Sequence, residues 1–175
     1  HAPESSRIPL ASVAAADLTE YTAPEETVYL DRLSVHDLDN LTEITLTENI
    51  YDIGELALSD CDGITEIVIP DRVRYIRERA FEECDNLSKV TIGSGLYSLD
   101  NLVFHNCKSL NTIEIRATKP PVFEYSTFEG LDKKSIRVIV PASALQAYKD
   151  SQWWSFNLAA EGTDMEGANT ITYTT

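Results

Sequence analysis

A 23-residue interval recurs through the middle of this chain and constrains its fold more than any other feature. The three cysteines, Cys61, Cys84 and Cys107, are equally spaced, since 84 − 61 = 23 and 107 − 84 = 23. Six apolar columns keep the same interval: Leu41, Ile64, Leu87 and Leu110; Ile44, Ile67, Val90 and Ile113; Leu46, Ile69, Ile92 and Ile115; Ile50, Val73 and Leu96; Ile53, Ile76 and Leu99; Leu58, Phe81 and Phe104. Such a register predicts stacked coils, in which each coil buries its side chains against its neighbours.

One unit reads L-x-x-I-x-I-P-x-x-V-x-x-I-x-x-x-A-F-x-x-C-x-x and is clearest in residues 64 to 86, ITEIVIPDRVRYIRERAFEECDN. This pattern resembles the BspA-like bacterial leucine-rich-repeat family, whose 23-residue unit carries the same IxIP strand and AFxxC corner. The match covers roughly residues 38 to 141. The resemblance implies an α/β leucine-rich-repeat solenoid, right-handed, with parallel strands on its concave side and mostly turns or short helical pieces on its convex side.

The chain is predicted to form one structural domain in three parts. An N-terminal extension or cap covers residues 1–26, the solenoid covers 27–141, and a C-terminal cap covers 142–175. The solenoid contains a degenerate first unit, regular units over about 38–107 and a lengthened unit over about 108–131. A helix is predicted from about Ala11 to Leu18. For the final polar stretch two alternatives stand: an additional edge strand, or a link to a further segment.

The C-terminal cap is predicted from the need to cover the open apolar end of a solenoid. Ser143 and Gln146 have the spacing of a helix capping box, which predicts a short helix from about Ala144 to Lys149. Trp153, Trp154 and Phe156 follow that helix, and we expect these aromatics to form a hydrophobic plug against the last coil.

Charge and hydropathy exclude two classes of partner. The chain has 14 basic and 29 acidic residues, a net charge of −15, so nucleic acid and anionic membrane surfaces would repel it. Its apolar runs are only about strand-length, so membrane insertion of this segment is not expected. The sequence begins at His1 without the features of a signal peptide, and we interpret it as a processed or trimmed chain.

The alternation of side chains along a strand predicts which residues face a partner. The outward positions of five successive strands are Glu43, Thr45 and Thr47; Glu66, Val68 and Pro70; Lys89, Thr91 and Gly93; Thr112, Glu114 and Arg116; Arg137, Ile139 and Pro141. The candidate binding residues are Glu43, Thr45, Glu66, Val68, Lys89, Thr91, Thr112, Glu114, Arg116, Arg137 and Ile139. This face changes from acidic to basic along the array and is suited to a protein or glycan partner.

Metal, cofactor and catalytic sites are not predicted. His36 and His105 are separated by 105 − 36 = 69 positions, which is three coils or roughly 14 Å, too far to share one metal ion. The cysteines are predicted to be small buried thiols, because stacked parallel side chains fit a disulfide torsion poorly. The acidic edge beside them, Asp37, Asp39, Asp60, Asp62, Glu83 and Asp85, is predicted to be solvated, with calcium binding left open. No nucleophile elbow or phosphate loop is present in the sequence.

The resemblance implies a non-catalytic binding module of a bacterial cell-surface or secreted protein, without a cofactor. Its expected role is adhesion, or recognition of a host or cell-surface protein or glycan, through the concave sheet. The alternative is a structural spacer or assembly element of a larger envelope protein. The open ends of a solenoid allow pairing and capping equally, so both a monomer and an oligomer are compatible with the sequence.

Overall fold

The structure is a computed structural model that describes residues 7–8 and 18–162. The strands within these residues are β1 (Arg7–Ile8), β2 (Glu20–Thr22), β3 (Tyr29–Leu30), β4 (Glu43–Thr45), β5 (Asp52–Ile53), β6 (Glu66–Ile69), β7 (Tyr75–Ile76), β8 (Lys89–Ile92), β9 (Ser98–Leu99), β10 (Thr112–Ile115), β11 (Val122–Phe123), β12 (Arg137–Val140) and β13 (Asn157–Ala160). The helix α1 spans Leu145–Lys149, and 3-10 turns span Lys133–Ser135, Ala142–Ala144 and Gln152–Ser155.

These strands form parallel ladders that confirm the predicted solenoid. The longer strands β6, β8, β10, β12 and β13 form one sheet, and β2 and β4 form a separate two-stranded sheet in the preceding coils. We call these seven strands the long-strand sheet; it corresponds to the predicted concave sheet. Ile67 lies opposite Val90, and Val90 lies opposite Ile113, so neighbouring coils are in the 23-residue register.

A second parallel ladder was not anticipated by the sequence pattern. The two-residue strands β1, β3, β5, β7, β9 and β11 form a six-stranded sheet on another side of each coil. The strands β3, β5, β7 and β9 are each short because one turn precedes the strand and another follows it. Each coil therefore holds its neighbour at two separate strand positions.

The AFxxC corner of each coil contains two residues with left-handed backbone. Their φ angles lie between 55° and 63°, and the residues are Leu33, Leu56, Arg79 and Leu102, and Asp37, Asp60, Glu83 and Asn106. Every one is an L-residue, for which this conformation costs roughly 1 kcal/mol. It directs backbone N–H groups to the next coil: Leu58 donates to the Ala80 carbonyl at 2.8 Å, and Phe81 donates to the Val103 carbonyl at 3.0 Å. These hydrogen bonds and the buried side chains between them hold the strained backbone in place.

The core consists of the apolar columns predicted from the sequence. Nearly all of their members are buried, whereas Ile44 is half-buried. One column contains large aromatic side chains. The Phe81 and Phe104 rings are stacked with centroids 5.6 Å apart, and the Phe104 and Phe128 rings are stacked with centroids 5.5 Å apart. Offset stacking of this kind adds to the hydrophobic contribution of the rings.

The lengthened unit contains two extra residues at separate places. Ile115 lies opposite Ile92, a difference of 23, but Val122 lies opposite Ser98, a difference of 24. Val138 lies opposite Ile113, a difference of 25. One extra residue therefore lies between Ile115 and Val122, and the other between Phe123 and Val138.

The C-terminal segment covers the last two-residue strand with side chains instead of another strand. Gln152 accepts a hydrogen bond from the Phe123 N–H at 3.1 Å and donates to the Phe123 carbonyl at 2.7 Å. The Trp153 Nε1–H donates to the Pro121 carbonyl, and the Tyr148 hydroxyl donates to the Ala117 carbonyl. Both rings are fully buried, so the cap satisfies backbone groups and covers the apolar end at the same time.

Two details of the predicted cap are wrong. Trp154 is 68% exposed, so the plug consists of Trp153 and Phe156 together with Tyr148. The capping box is also absent: Ala144 precedes α1 without a side-chain cap, and the Gln146 amide donates to Asp150 instead. The reason is local, because the chain enters α1 directly from a 3-10 turn and not from an extended residue.

Strands also lie within both segments that were predicted as caps. At the N-terminal side β1 pairs with β3, and β2 pairs with β4, so residues 7–8 and 20–22 supply strands to the ladders. At the C-terminal side β13 pairs with β12 and extends the long-strand sheet. The predicted helix from Ala11 to Leu18 falls almost entirely in residues 9–17, which lie outside the described residues. The final polar stretch, residues 163–175, also lies outside them.

Truncating the central ring of the aromatic column tests the stacking. We expect Phe104→Ala to lower the free energy of unfolding by about 4 kcal/mol, because it leaves a cavity between Phe81 and Phe128. Tyr125→Ala is the matched control, since Tyr125 is 98% exposed and its removal should change stability by less than about 0.5 kcal/mol. Urea unfolding followed by circular dichroism measures both; equal losses would contradict the proposed role of the column.

Candidate binding face

The long-strand sheet presents two columns of outward side chains. The strand register places Glu20 beside Glu43, Glu66 beside Lys89, and Thr112 between Lys89 and Arg137 in the first column. The second column contains Thr22, Thr45, Val68, Thr91, Glu114, Ile139 and Ala159. All eleven predicted binding residues lie on this one sheet or directly at its strand ends.

The exposure of the predicted residues is uneven along the array. Exposed residues are Glu43, Thr45, Glu66, Val68 and Arg116; half-buried residues are Lys89, Thr112, Glu114, Arg137 and Ile139. Val68 is 55% exposed, which is unusual for a large aliphatic side chain and leaves an apolar group within the exposed end. The accessible part of the face therefore lies toward its N-terminal strands.

Thr91 does not present the exposed side chain expected of it. It occupies the predicted outward position opposite Val68 and Glu114, yet only 6% of it is exposed. Pro70 and Gly93, which were also predicted to face outward, are buried. Thr91 lies between Val68 and Glu114 on the two neighbouring strands. Alternation along the strand therefore gave its direction correctly, whereas the packing around it decided its accessibility.

The exposed end of the face is acidic. Glu20, Glu43 and Glu66 are all exposed and occupy equivalent positions on successive strands. Paired strands are about 4.8 Å apart, so Glu20 and Glu43 lie close together, and Glu66 continues the row one coil further along. Lys89 and Arg137 follow in the same column, which gives the face the predicted change from acidic to basic.

Sequence reasoning missed the first strand of this face. Glu20, Tyr21 and Thr22 precede Glu43, Ile44 and Thr45 by one 23-residue interval, so the repeat spacing contained the signal. The apolar columns also continue there, since Leu18 precedes Leu41 and Ala23 precedes Leu46 by the same interval. The strand β13 gave no such signal, since Asn157 lies opposite Arg137, a sequence difference of only 20.

Three tyrosines in or beside the two-residue strands form a row that the sequence analysis did not predict. The Tyr51 and Tyr75 rings meet edge to face with centroids 5.9 Å apart, and the Tyr75 and Tyr97 rings with centroids 6.0 Å apart. Their sequence differences are 75 − 51 = 24 and 97 − 75 = 22, so no 23-residue column contains them. We call these three residues the tyrosine flank.

Two open clefts lie at the ends of the tyrosine flank. One, of about 580 Å³, is lined by Tyr29, Tyr51, Arg72 and the acidic Glu26, among others. The other, of about 370 Å³, lies between Arg74, Tyr97 and Lys119. Only the first has a carboxylate in its lining, so the two clefts differ in charge.

The cysteines form the predicted column of buried thiols. The Sγ atoms of Cys61, Cys84 and Cys107 donate to the carbonyls of Val35, Leu58 and Phe81, at 3.0 to 3.1 Å. All three are unbridged. Burial raises the pKa of Cys61 and Cys107 to about 12 and raises the pKa of Cys84 well above its ordinary value, so these thiols stay protonated and unreactive at neutral pH.

The acidic edge beside the cysteines is partly paired at its C-terminal side. The Asn106 amide donates to Glu83 at 2.7 Å, and Lys108 Nζ lies 3.5 Å from Asp85 Oδ2. Beside the edge, His105 Nδ1 lies 2.8 Å from Glu82 Oε2. Partial burial raises the pKa of Asp60, and the charges of Glu83 and Asp37 add to this effect. Among the described residues, no group of three or more His, Cys, Asp or Glu side chains is placed to hold a metal ion.

The geometry agrees with a comparison to known families. The sequence model described as BspA type Leucine rich repeat region matches residues 8–140 in six copies. The chain therefore belongs to this family. The match begins at residue 8, inside the segment predicted as an N-terminal extension, where the structure places β1. No curated protein matches the chain.

Two solved structures share the fold. A leucine rich cell surface protein from Faecalibacterium prausnitzii A2-165 is 18% identical, with a TM-score of 0.56 over 84% of this chain and 33% of that protein. The pneumococcal vaccine antigen PcpA is 17% identical, with a TM-score of 0.50 over 98% of this chain and 45% of that protein. The chain thus spans less than half the length of either. Within residues 7–8 and 18–162, no helix has the length and apolarity needed to cross a membrane.

The raised pKa values of the thiols predict how stability depends on pH. Because the folded state favours the protonated thiols, their contribution is complete below the ordinary thiol pKa of 9.0 and is lost as pH rises toward about 12. A variant with all three cysteines replaced by alanine should therefore lose less stability over this range than the wild type. Urea midpoints measured between pH 8 and about 11 compare the two; parallel pH profiles would contradict the prediction.

Removing the charge of Asp60 should stabilise the fold slightly. Its raised pKa means that the carboxylate is disfavoured in the folded state, so this destabilisation is present at pH 7 and disappears as pH falls below the ordinary value of 3.8. We expect Asp60→Asn to add only about 0.5 kcal/mol at pH 7, because the side chain is exposed and solvent screens its charge, while Asn tolerates the left-handed backbone. The control is Glu48→Gln at an exposed turn. A gain that persists at pH 3 would contradict the electrostatic cause.

Proposed function

We propose that this chain is a non-catalytic recognition module that binds a protein or glycan surface through its long-strand sheet. The observation that carries the proposal is the exposed N-terminal end of that sheet. There Glu20, Glu43 and Glu66 form a row directly beside Thr45 and the 55%-exposed Val68. Apolar area next to polar and charged groups is a composition that protein-binding surfaces share.

The rigidity of the face supports the same proposal. Its side chains project from strands that are held in parallel ladders, β2 with β4 and β6 with β8, so little conformational entropy is lost when a partner binds. The regular 23-residue coils leave the sheet as an open surface, which suits a macromolecular partner better than a small substrate. We therefore assign the module to binding and not to catalysis.

The proposed location is the surface of a bacterial cell or its surroundings. Support comes from the family to which the chain belongs and from the description of one structural neighbour as a cell surface protein. The three thiols do not oppose this location, since they are buried, unbridged and protonated. Adhesion to a host or neighbouring cell is the role that fits such a placement.

A second candidate function is that of a spacer in a larger envelope protein. The observation that favours it is length: the chain spans 33% and 45% of the two solved proteins that share its fold. Continuous parallel ladders would make such a segment stiff. In this case the outward side chains of the long-strand sheet would have no partner.

Charge reversal on the acidic end distinguishes the two functions. Purified extracellular-matrix proteins and mucin glycans are tested for binding to the immobilised wild-type chain by surface plasmon resonance. The double variant Glu43→Lys and Glu66→Lys should weaken any partner bound at this face by about tenfold or more. Stability should be unchanged, because both side chains are exposed.

The matched control is Glu48→Lys with Glu129→Lys, which makes the same change of charge at exposed residues outside the sheet. Equal weakening by both double variants would indicate general electrostatics and contradict recognition by the face. A wild-type chain that binds no member of the panel would favour the spacer function.

A further inference from the structure

The cleft between Arg74 and Lys119 is located where the repeat is interrupted. One of the two extra residues of the lengthened unit lies between Ile115 and Val122, and this segment contains Lys119 and forms one wall of the cleft. Insertions in repeat proteins are often found on the face that binds a ligand. We call this cleft the cationic notch; the residues that matter for its chemistry are Arg74, Ser94, Gly95, Tyr97, Lys119 and Val122.

Arg74 is held in position by the backbone around it. Its Nη1 donates to the Gly95 carbonyl at 3.0 Å, to the Asp71 carbonyl at 3.2 Å and to the Arg72 carbonyl at 3.4 Å. Gly95 is required for this arrangement, because a Cβ at that position would overlap the guanidinium. The guanidinium is therefore held by neutral carbonyl acceptors and not by a carboxylate.

The notch is cationic in a chain that is otherwise strongly acidic. Within the described part of the chain, no carboxylate lies within 4 Å of the side-chain nitrogens of Arg74 or Lys119. The acid nearest in the chain, Asp71, accepts a hydrogen bond from the Ser94 N–H at 2.8 Å and does not line the notch. Two unpaired cations beside one cleft are notable when the net charge is −15.

The remaining wall of the notch is partly apolar. Tyr97 is 56% exposed and Val122 is 49% exposed, although both side chains are large and hydrophobic. The Tyr97 ring packs against the Tyr75 ring at an interplanar angle of 72°, with centroids 6.0 Å apart, and this contact restricts its orientation. An aromatic ring with a polar hydroxyl offers a surface for a ligand that has both apolar and polar faces.

We propose that the cationic notch binds an anionic sugar residue. The ring of the sugar lies against Tyr97 and Val122, and its acidic group is bound by Arg74 and Lys119. A guanidinium forms paired hydrogen bonds with a carboxylate or a sulfate, and the lysine adds a second positive charge. The hydroxyls of Ser94 and Tyr97 are available to the hydroxyl groups of the sugar. This site is separate from the long-strand sheet and does not depend on the function proposed for that sheet.

A saccharide fits the notch better than an acidic peptide. An extended peptide is commonly bound by adding a strand to an open sheet edge. The Ser94 N–H is already bonded to Asp71, and the β9 and β11 backbones beside the notch are paired with each other. The groups that the notch offers are side-chain donors and an aromatic face, which match a ring with hydroxyls and one acidic group.

Calorimetric titration of the full chain tests the proposal with four probes. Three are trisaccharides of one length: trigalacturonic acid, a sulfated galactotriose and neutral galactotriose. The fourth is a hexapeptide of glutamate. We expect at least one acidic trisaccharide to bind about tenfold or more tightly than the neutral one, with an affinity that falls as salt is added. The carboxylated and sulfated probes show which acidic group the notch prefers.

Charge-removing variants assign the binding to the notch. Arg74→Gln and Lys119→Gln should each weaken the preferred acidic trisaccharide by about tenfold. Matched controls are Arg72→Gln, at the cleft that contains Glu26, and Lys134→Gln, at an exposed 3-10 turn; neither should change the affinity. Lys119 is exposed, so its variant tests the site even if Arg74→Gln destabilises the turn.

Three results would overturn the proposal. One is an absence of binding by both acidic trisaccharides at millimolar concentration. Another is equal binding of the neutral trisaccharide, or tighter binding of the glutamate peptide. The last is equal weakening by Lys119→Gln and Lys134→Gln, which would indicate a general charge effect and not a site.

Discussion

Backbone hydrogen bonds between coils, made at a constant offset along the chain, are the interaction on which the rest of the structure depends. They occur in three places in each coil: the long strands, the two-residue strands and the AFxxC corner. Because a hydrogen bond fixes its partner to within a few tenths of an ångström, the offset places equivalent side chains directly above one another. The apolar columns, the thiol column and the stacked phenylalanines are all consequences of this single constraint, and so is the alignment of outward residues into a continuous face.

The same constraint explains why the corners adopt left-handed backbone and why side chains form the hydrogen bonds at the C-terminal end of the two-residue ladder. Left-handed backbone recurs at L-residues in four successive coils because the corner N–H groups must reach the next coil. At the C-terminal end of the two-residue ladder no further strand follows within the described residues, and Gln152, Trp153 and Tyr148 take over the hydrogen bonds that a strand would make. A side-chain amide can both donate and accept a hydrogen bond, as one residue of a strand does. Gln152 therefore pairs with both the N–H and the carbonyl of Phe123.

Where the chain departs from the 23-residue interval, its surface differs from that of the regular coils. The tyrosine flank departs from the 23-residue interval by one position in each direction, and the cationic notch lies beside an inserted residue. A regular coil presents the same kind of surface at every level, whereas the extra residue lengthens the segment between Ile115 and Val122 that forms one wall of the cleft. The acidic end of the long-strand sheet and the cationic notch thus have opposite charge on one small molecule, and they would select different partners.

The sequence by itself determined the coil length, the buried columns, the buried thiols and the direction of the outward residues, because each of these recurs at the 23-residue interval and repetition is visible without coordinates. Only the tertiary structure decided accessibility and the irregular parts. Thr91 points outward yet is buried by its neighbours, Trp154 lies outside the plug, and β13 joins the sheet out of the repeat register. Arg74 and Lys119 are distant in sequence and meet only because two coils and an insertion bring them to one cleft. Periodicity reports which positions are equivalent, but the surroundings of a side chain depend on every residue packed beside it.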